Sequence, residues 1–212
     1  MENSPSTRSI KIGSDERGGW SSDRPRRDGA PPRPRDVSVR CRVLSPSEQI
    51  NYAPGSLLLI ASALPSERDD FAQRLITDRS ALLSVDKVRG LLAGRVPEDQ
   101  IDEKATELLK AAVLKRLEAS ETVVIPLEGL GAEERERYVR MADGFKRPRH
   151  LILLEVGKGD VPEESRAELN DLRKRLDAGQ LGAEGFMTAL RLGGGTIGQL
   201  KAIVFRSPGR DD

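Results

Sequence analysis

The amino-acid sequence predicts an α/β domain in which helices flank a parallel β-sheet. Three short stretches, residues 56–61, 122–126 and 150–156, are almost wholly apolar, which is typical of strands buried on both faces of a parallel sheet. Charged segments of helical length separate them, and residues 98–119 carry their apolar side chains on one helical stripe. Strands that alternate with helices in this way form a parallel sheet with helices on both faces.

The other elements follow from the same patterns, taken in chain order. Residues 37–43 alternate Val and Cys with polar residues, which predicts a short, half-buried strand. We expect further strands over residues 81–84, 186–192 and 202–205, and helices over residues 66–76, 85–92, 98–119, 132–143 and 162–178.

The first 36 residues form a separate segment, which is rich in Ser, Gly, Pro, Arg and Asp and nearly free of aliphatic side chains. Such a segment cannot bury enough apolar surface to offset the entropy of ordering, so we predict that it is disordered. Residues 24–42 hold seven arginines against two aspartates, and the prolines among them favour an extended chain. The folded domain is expected over residues 37–206, with a frayed tail at 207–212.

The composition excludes several classes of site. Cys41 is the single cysteine and His150 the single histidine of the 212 residues, so a disulfide framework and a cluster of cysteine or histidine metal ligands are excluded. We expect no metal site and a structural role for His150. The formal net charge of +1 gives no overall attraction to nucleic acid or membrane. Because neither a signal peptide nor an apolar run of about 20 residues is visible, we expect a cytoplasmic protein without membrane contact.

Ligands of open parallel sheets bind at the carboxyl ends of the strands, which directs attention to the loops after residues 60, 83, 125 and 155. Residues 56–75, which read SLLLIASALPSERDDFAQRL, resemble the strand, phosphate loop and helix of the polynucleotide-kinase-like P-loop phosphotransferases. Five further segments resemble that family in collinear order: residues 83–89 (its S-x-D-x-x-R), 96–100, 122–137, 161–164 (VPEE) and 184–186 (EGF). The resemblance implies a three-layer fold like that of the nucleoside monophosphate kinases.

The phosphate loop departs from the family's G-x-x-x-x-G-K-[ST]. In that motif the glycines let backbone N–H groups point at the phosphates, the lysine bridges the β and γ oxygens, and the hydroxyl holds magnesium. Residues 61–70 contain no glycine, Pro65 has no N–H, and the lysine position holds Glu67 or Arg68, depending on where one extra residue is placed. A lysine about 4 Å from a phosphate contributes roughly 4 kcal/mol at an effective dielectric near 20, and Glu67 in its place would reverse the sign.

The acidity of this loop predicts that the protein fills its own anion site. Glu67, Asp69 and Asp70 fall in the first turn of the predicted helix, where free N–H groups and the helix dipole favour anions. Ser66 and Asp69 have the spacing of a helix cap. We therefore expect an ordinary capped helix start in place of a nucleotide site.

Two further losses agree with this expectation. Pro126 and Gly129 stand where the family has Asp and Asn, and the lid shrinks to residues 157–160, in which only Lys158 could clamp a phosphate. The acceptor side is retained, because the resemblance implies that Asp86 is the base for the acceptor hydroxyl and that Arg89 binds its neighbouring phosphate. The alternative is that Asp86 caps a short helix and pairs with Arg89 three residues on.

Three functions remain open. The leading hypothesis is a pseudokinase without a bound cofactor, a non-catalytic domain that binds nucleic acid or a protein partner. Arginines contact phosphates without regard to base sequence, and the candidates lie in the N-terminal segment: Arg24, Arg26, Arg27, Arg33 and Arg35. The second is an atypical kinase that binds ATP and magnesium through Ser66, Arg68 and Lys158 and acts through Asp86 and Arg89. The third is a structural or assembly protein.

Overall fold

A parallel, five-stranded β-sheet forms the centre of the fold in a computed structural model that describes residues 36–157 and 159–207. The described residues form seven strands: β1 Arg42–Leu44, β2 Gln49–Tyr52, β3 Leu57–Ser62, β4 Val123–Pro126, β5 Arg149–Glu155, β6 Thr188–Gly193 and β7 Ala202–Phe205. The central sheet has the order β1-β6-β5-β3-β4, and its neighbouring strands are all parallel. β2 and β7 pair with each other, also in parallel, as a second small sheet.

Helices connect the strands and cover the central sheet. The described part of the chain has six α-helices: α1 Pro65–Leu75, α2 Val85–Leu92, α3 Ile101–Glu118, α4 Ala132–Gly144, α5 Arg166–Asp177 and the short α6 Gly195–Gln199. Short 3-10 turns precede α2, α3, α5 and β6. Within these residues no helix combines the length and the apolar character that crossing a bilayer requires.

Two clusters of buried side chains lie on the two faces of the central sheet. Along β3, Leu57, Leu59 and Ala61 belong to one cluster, which includes the apolar residues of α3, α4 and α5. Leu58 and Ile60 belong to the other cluster, with the apolar residues of α1, β2 and β7. Burial on both faces explains why β3 is a continuous aliphatic run. The structure therefore confirms the predicted α/β class, with a parallel sheet between two covering layers.

The predicted strand over residues 37–43 is wrong in its extent. Only Arg42–Leu44 pairs with β6, because the preceding residues pack against the turn Gln180–Gly182. Val39 donates its N–H to the carbonyl of Gly182 at 2.8 Å. A Cβ on Gly182 would lie 2.1 Å from the Val39 carbonyl oxygen, so only glycine allows this approach.

The predicted strand over residues 81–84 is also wrong. Leu82 forms a single bridge with Val124 of β4, at the edge of the central sheet. Asp78 accepts a hydrogen bond from the N–H of Ser80 and thereby caps a 3-10 turn, Arg79–Ala81, in place of the start of a strand. β2 was not predicted, because its four residues pair only with β7, about 150 positions further along the chain.

A buried ion pair joins α4 to the segment before β6. Arg135 and Glu184 are 1% and 2% exposed, and two hydrogen bonds of 2.8 and 2.9 Å connect them. Arg135 also donates to the carbonyl of Leu130, and Arg175 of α5 contacts Glu184 at 2.5 Å. This cluster stabilises the packing of α4 and α5 on the sheet.

Candidate functional site

The strand order places a crevice between the carboxyl ends of β3 and β5. These strands are neighbours, but the chain passes from β3 to β4 on one side and from β5 to β6 on the other. In open parallel sheets, ligands bind where the connections diverge in this way. Ser62 ends β3 and Glu155 ends β5, so the loops that follow these two residues form the walls of the crevice.

The connection from β3 to α1 has only two residues, Ala63 and Leu64. Most of the stretch predicted to form a phosphate loop is therefore strand or helix. The N–H of Leu64 donates to Oγ of Ser62, and α1 begins at Pro65, which has no N–H to offer. The predicted cap by Ser66 and Asp69 is wrong: the N-cap is Leu64, whose side chain carries no polar atom.

Arg68, a candidate for the lysine position, lies inside the protein. It is 3% exposed, and its guanidinium donates to the carbonyl of Leu127 behind β4. The same group makes two bonds to the carboxylate of Asp69, at 2.8 and 3.1 Å. Arg68 thus connects α1 to the loop after β4, and Asp69 pairs with it, contrary to the prediction that Asp69 compensates the helix N-terminus. Ser66, Glu67 and Asp70 are exposed.

Arg89 of α2 lies among three carboxylates. Its guanidinium is 2.9 Å from Asp86, 2.7 Å from Asp102 and 2.8 Å from Glu128. Hydrogen bonds to Asp102 and Asp86 raise the pKa of Arg89 well above its usual range. The pairing of Asp86 with Arg89 is present, but Asp86 does not cap α2, whose N-cap is Ser84. Three negative charges around one positive charge oppose the binding of a phosphate at Arg89.

A carboxylate does occupy an anion-binding loop, but after β4 and not before α1. Glu134 of α4 accepts the backbone N–H groups of Glu128 and Gly129, both at 3.1 Å. Consecutive N–H groups that point into one concavity are the geometry that binds phosphates in other proteins. Burial raises the pKa of Glu134 against the lowering effect of these two hydrogen bonds. Glu134 was not predicted, although the glycines at 129 and 131 were visible as a signal.

The opposite wall of the crevice is balanced in charge. Glu155 is held by Arg173 of α5 at 2.9 Å and by Arg191 of β6 at 2.5 Å. Burial opposes its ionisation, but the two arginines outweigh burial and lower the pKa of Glu155. A cavity of about 490 Å³ next to it is lined by Arg166, Arg173 and Arg191. Each of these arginines contacts a carboxylate, so the cavity has no surplus positive charge.

The remaining predicted site residues lie outside the described residues. Lys158 is the one position between 36 and 207 that the structure does not describe. The arginines predicted to contact nucleic acid, at positions 24, 26, 27, 33 and 35, precede the described region.

The described residues do not fit magnesium-ATP. A two-residue connection cannot surround a phosphate with N–H groups, and the guanidinium of Arg68 already binds Leu127 and Asp69. Among the residues that the structure describes, no group of three or more His, Cys, Asp or Glu side chains is arranged to hold a metal ion.

The amino-terminal edge of the sheet holds a second polar centre, which contains His150. Its Nδ1 lies 2.8 Å from Oγ1 of Thr188 and its Nε2 lies 3.3 Å from Oγ of Ser56. The ring stacks on Tyr52 with 4.3 Å between centroids. Burial and, secondarily, the charge of Arg149 lower the pKa of His150 to about 4, so the ring is neutral at pH 7. Because β2 was not predicted, neither was the contact with Tyr52.

Comparison with known protein families gives no match, and comparison with curated proteins gives none either. Among solved structures, the chain is similar to a protein from Chloroflexus aurantiacus J-10-fl that is described as a "putative kinase". The two share 15% sequence identity, with a TM-score of 0.45, over 67% of this chain and 86% of that one.

Proposed function

We propose that this chain is a non-catalytic α/β module that binds nucleic acid through its arginine-rich N-terminal segment. The connection of two residues between β3 and α1 carries the non-catalytic part of the proposal. A nucleotide phosphate needs several backbone donors and a free cation at this place. Ala63 and Leu64 offer too little backbone for that purpose, and the N–H of Leu64 already donates to Ser62.

The side chains around the crevice support the same interpretation. Arg68 is buried with its donors engaged, and Arg89 faces a surplus of carboxylates. Glu134 takes the two N–H groups of the loop after β4 that would otherwise bind an anion. A kinase that used Asp86 and Arg89 on an acceptor, and Ser66, Arg68 and Lys158 on ATP, would first have to dismantle these contacts.

The nucleic-acid part of the proposal rests on charge in the sequence. Seven arginines against two aspartates in residues 24–42 supply a dense positive charge on a proline-rich stretch. Such a stretch releases counterions from the phosphate backbone when it binds, and its affinity is independent of base sequence and steep in salt.

A protein partner is the second candidate, and exposed apolar side chains favour it. Leu91 of α2 is 64% exposed, and Leu108 of α3 is 51% exposed. Large aliphatic residues exposed in a folded domain are candidates for contact with another protein.

Calorimetric titration and thermal melting with magnesium-ATP test the non-catalytic part. A ligand that binds only the folded state raises stability by RT ln(1 + [L]/Kd), so millimolar magnesium-ATP should leave the melting temperature unchanged. A rise of several degrees, with saturable heat of binding, would instead support the atypical kinase.

Fluorescence anisotropy with labelled oligonucleotides tests the nucleic-acid part. Replacing the five arginines at 24, 26, 27, 33 and 35 with serine in the full chain should remove most of the affinity and flatten the salt dependence by about 0.7 per lost contact on a single strand. The matched control replaces Arg8, Lys11 and Arg17 of the same segment and should retain most of the binding. Equal binding by the five-arginine variant and the unaltered chain would contradict the proposal.

A further inference from the structure

A groove of about 860 Å³ lies at the amino-terminal edge of the central sheet, at the opposite ends of the strands from the crevice. Arg40 and Arg42 line one part of it, and Asn51, Tyr52 and Thr188 line another. Its volume is within the range of about 300–1,000 Å³ that is usual for ligand sites.

The charge of this groove is unbalanced, unlike that of the cavity beside Glu155. No aspartate or glutamate is among the described residues that line it, and His150 within it is neutral at pH 7. Arg40 and Arg42 are exposed, and neither forms an ion pair within the described region. Two arginines without carboxylate partners in a concave surface attract an anion.

The inner wall of the groove has an unused hydrogen-bonding group. Tyr52 is 4% exposed, and its hydroxyl is the one buried side-chain polar atom of the described residues that has no hydrogen-bond partner. Leaving such a group unpaired costs about 1–3 kcal/mol, which a ligand atom or water at this wall would recover. Asn51 at the rim adds a second donor and acceptor.

The N-terminal segment is a poor occupant of this groove because it carries the same charge. Residues 1–35 contain eight basic and five acidic residues, and they join the described region only five positions before Arg40. A polyanion, by contrast, can contact the segment and the groove together. The groove is of the size of a few nucleotides, and a basic groove that follows the backbone is how proteins hold single strands.

We infer that this groove binds a short stretch of single-stranded nucleic acid, with Arg40 and Arg42 on its phosphates and Tyr52 at its inner wall. The inference rests on the proposed function, because it places a second contact on the strand that the N-terminal segment binds. It assigns the binding surface to the amino-terminal edge of the sheet, away from the crevice between β3 and β5.

The test measures anisotropy of a labelled single-stranded oligonucleotide, and of its duplex, with full-length variants. Arg40→Ser with Arg42→Ser should weaken single-strand binding by roughly 10-fold and lower the salt slope by about 1.4, since two charged contacts are lost. The control pair Arg79→Ser and Arg95→Ser removes the same charge from exposed positions outside the groove and should leave both quantities unchanged. Tyr52→Phe should weaken binding several-fold without lowering the melting temperature, because the hydroxyl has no partner to lose.

Each remaining outcome decides one question. If serines in the N-terminal segment abolish binding but the groove pair behaves like the control pair, the groove inference is overturned and the proposed function stands. If the unaltered chain binds no oligonucleotide, the proposed nucleic-acid function fails, and the groove inference fails with it. If the groove pair weakens duplex binding as much as single-strand binding, the assignment to single strands is overturned. Unchanged binding by Tyr52→Phe would remove Tyr52 from the site.

Discussion

Replacing Arg68 with lysine should destabilise the protein without creating a nucleotide site. The substitution places lysine where the resemblance to P-loop kinases has its phosphate-binding residue, so it distinguishes a structural arginine from a displaced catalytic one. Arg68 makes three hydrogen bonds, two to Asp69 and one to the carbonyl of Leu127, and it is almost fully buried. A lysine ammonium cannot reproduce this planar fork of donors.

The magnitude follows from the group that would lose its partner. The Leu127 carbonyl lies in the interior, and an unsatisfied buried acceptor costs about 1–3 kcal/mol. The pair with Asp69 contributes less, because the Asp69 side chain is 32% exposed. We expect a loss of about 2 kcal/mol in the free energy of unfolding, which lowers the melting temperature of a domain of this size by roughly 4–8 °C.

Urea denaturation followed by circular dichroism, with and without magnesium-ATP, measures both effects. Arg74→Lys on the same helix is the matched control, because Arg74 is exposed and makes only a long bond of 3.4 Å to Ile197, and it should change stability by less than about 0.5 kcal/mol. A lysine variant of Arg68 that is as stable as the parent and is stabilised by magnesium-ATP would refute the structural role and favour the kinase.

Two further predictions concern buried charge. Glu184→Gln leaves the charge of Arg135 buried without a carboxylate and should cost about 3–5 kcal/mol in denaturant unfolding, whereas Glu163→Gln on the surface should cost less than about 0.5 kcal/mol; equal effects would contradict the account of the buried pair. Because the pKa of His150 is lowered from 6.5 to about 4 in the folded state, the unfolded chain binds the proton more readily, and stability should fall by about 3 kcal/mol as the pH drops from 7 to 4. His150→Gln should flatten this part of the pH profile, and a variant with the parent's profile would show that other groups cause it.

The sequence predicted the strands that are buried on both faces because burial leaves a continuous aliphatic run. β3 and β5 agree with their predictions to within one residue at each end, and α2 agrees at both ends. β2 could not be found in this way, since a four-residue strand that pairs with a partner about 150 positions away carries little local signal. The same limit applied to residues 81–84, where the side chain of Asp78 decides in favour of a 3-10 turn.

The candidate site was predicted less completely because contacts between side chains depend on distances that spacing does not reveal. Residue types in the phosphate loop indicated the loss of the nucleotide site, but not that Arg68 is buried against Leu127. Filling of an anion site by a carboxylate was expected at α1, and the structure has it at Glu134, where the folding of a glycine-containing loop presents two N–H groups. The groove at the other edge escaped prediction because it depends on β2.

The pairing of β1 with β6 has a consequence for how the domain forms during synthesis. Arg42 pairs with Thr188, so β1 leaves the ribosome 146 residues before its partner. At about 5–20 residues per second, the strand waits roughly 7–30 s for that partner. β2 waits still longer for β7, since Gln49 pairs with Ala202. During this interval the basic residues from Arg24 to Arg42 are already translated, while the two strands next to them have no partners. Pairings so distant in sequence close late, because the entropy of the intervening chain must be lost first. A polyanion that binds these arginines early would therefore meet the nascent chain before the central sheet has acquired its outer strand.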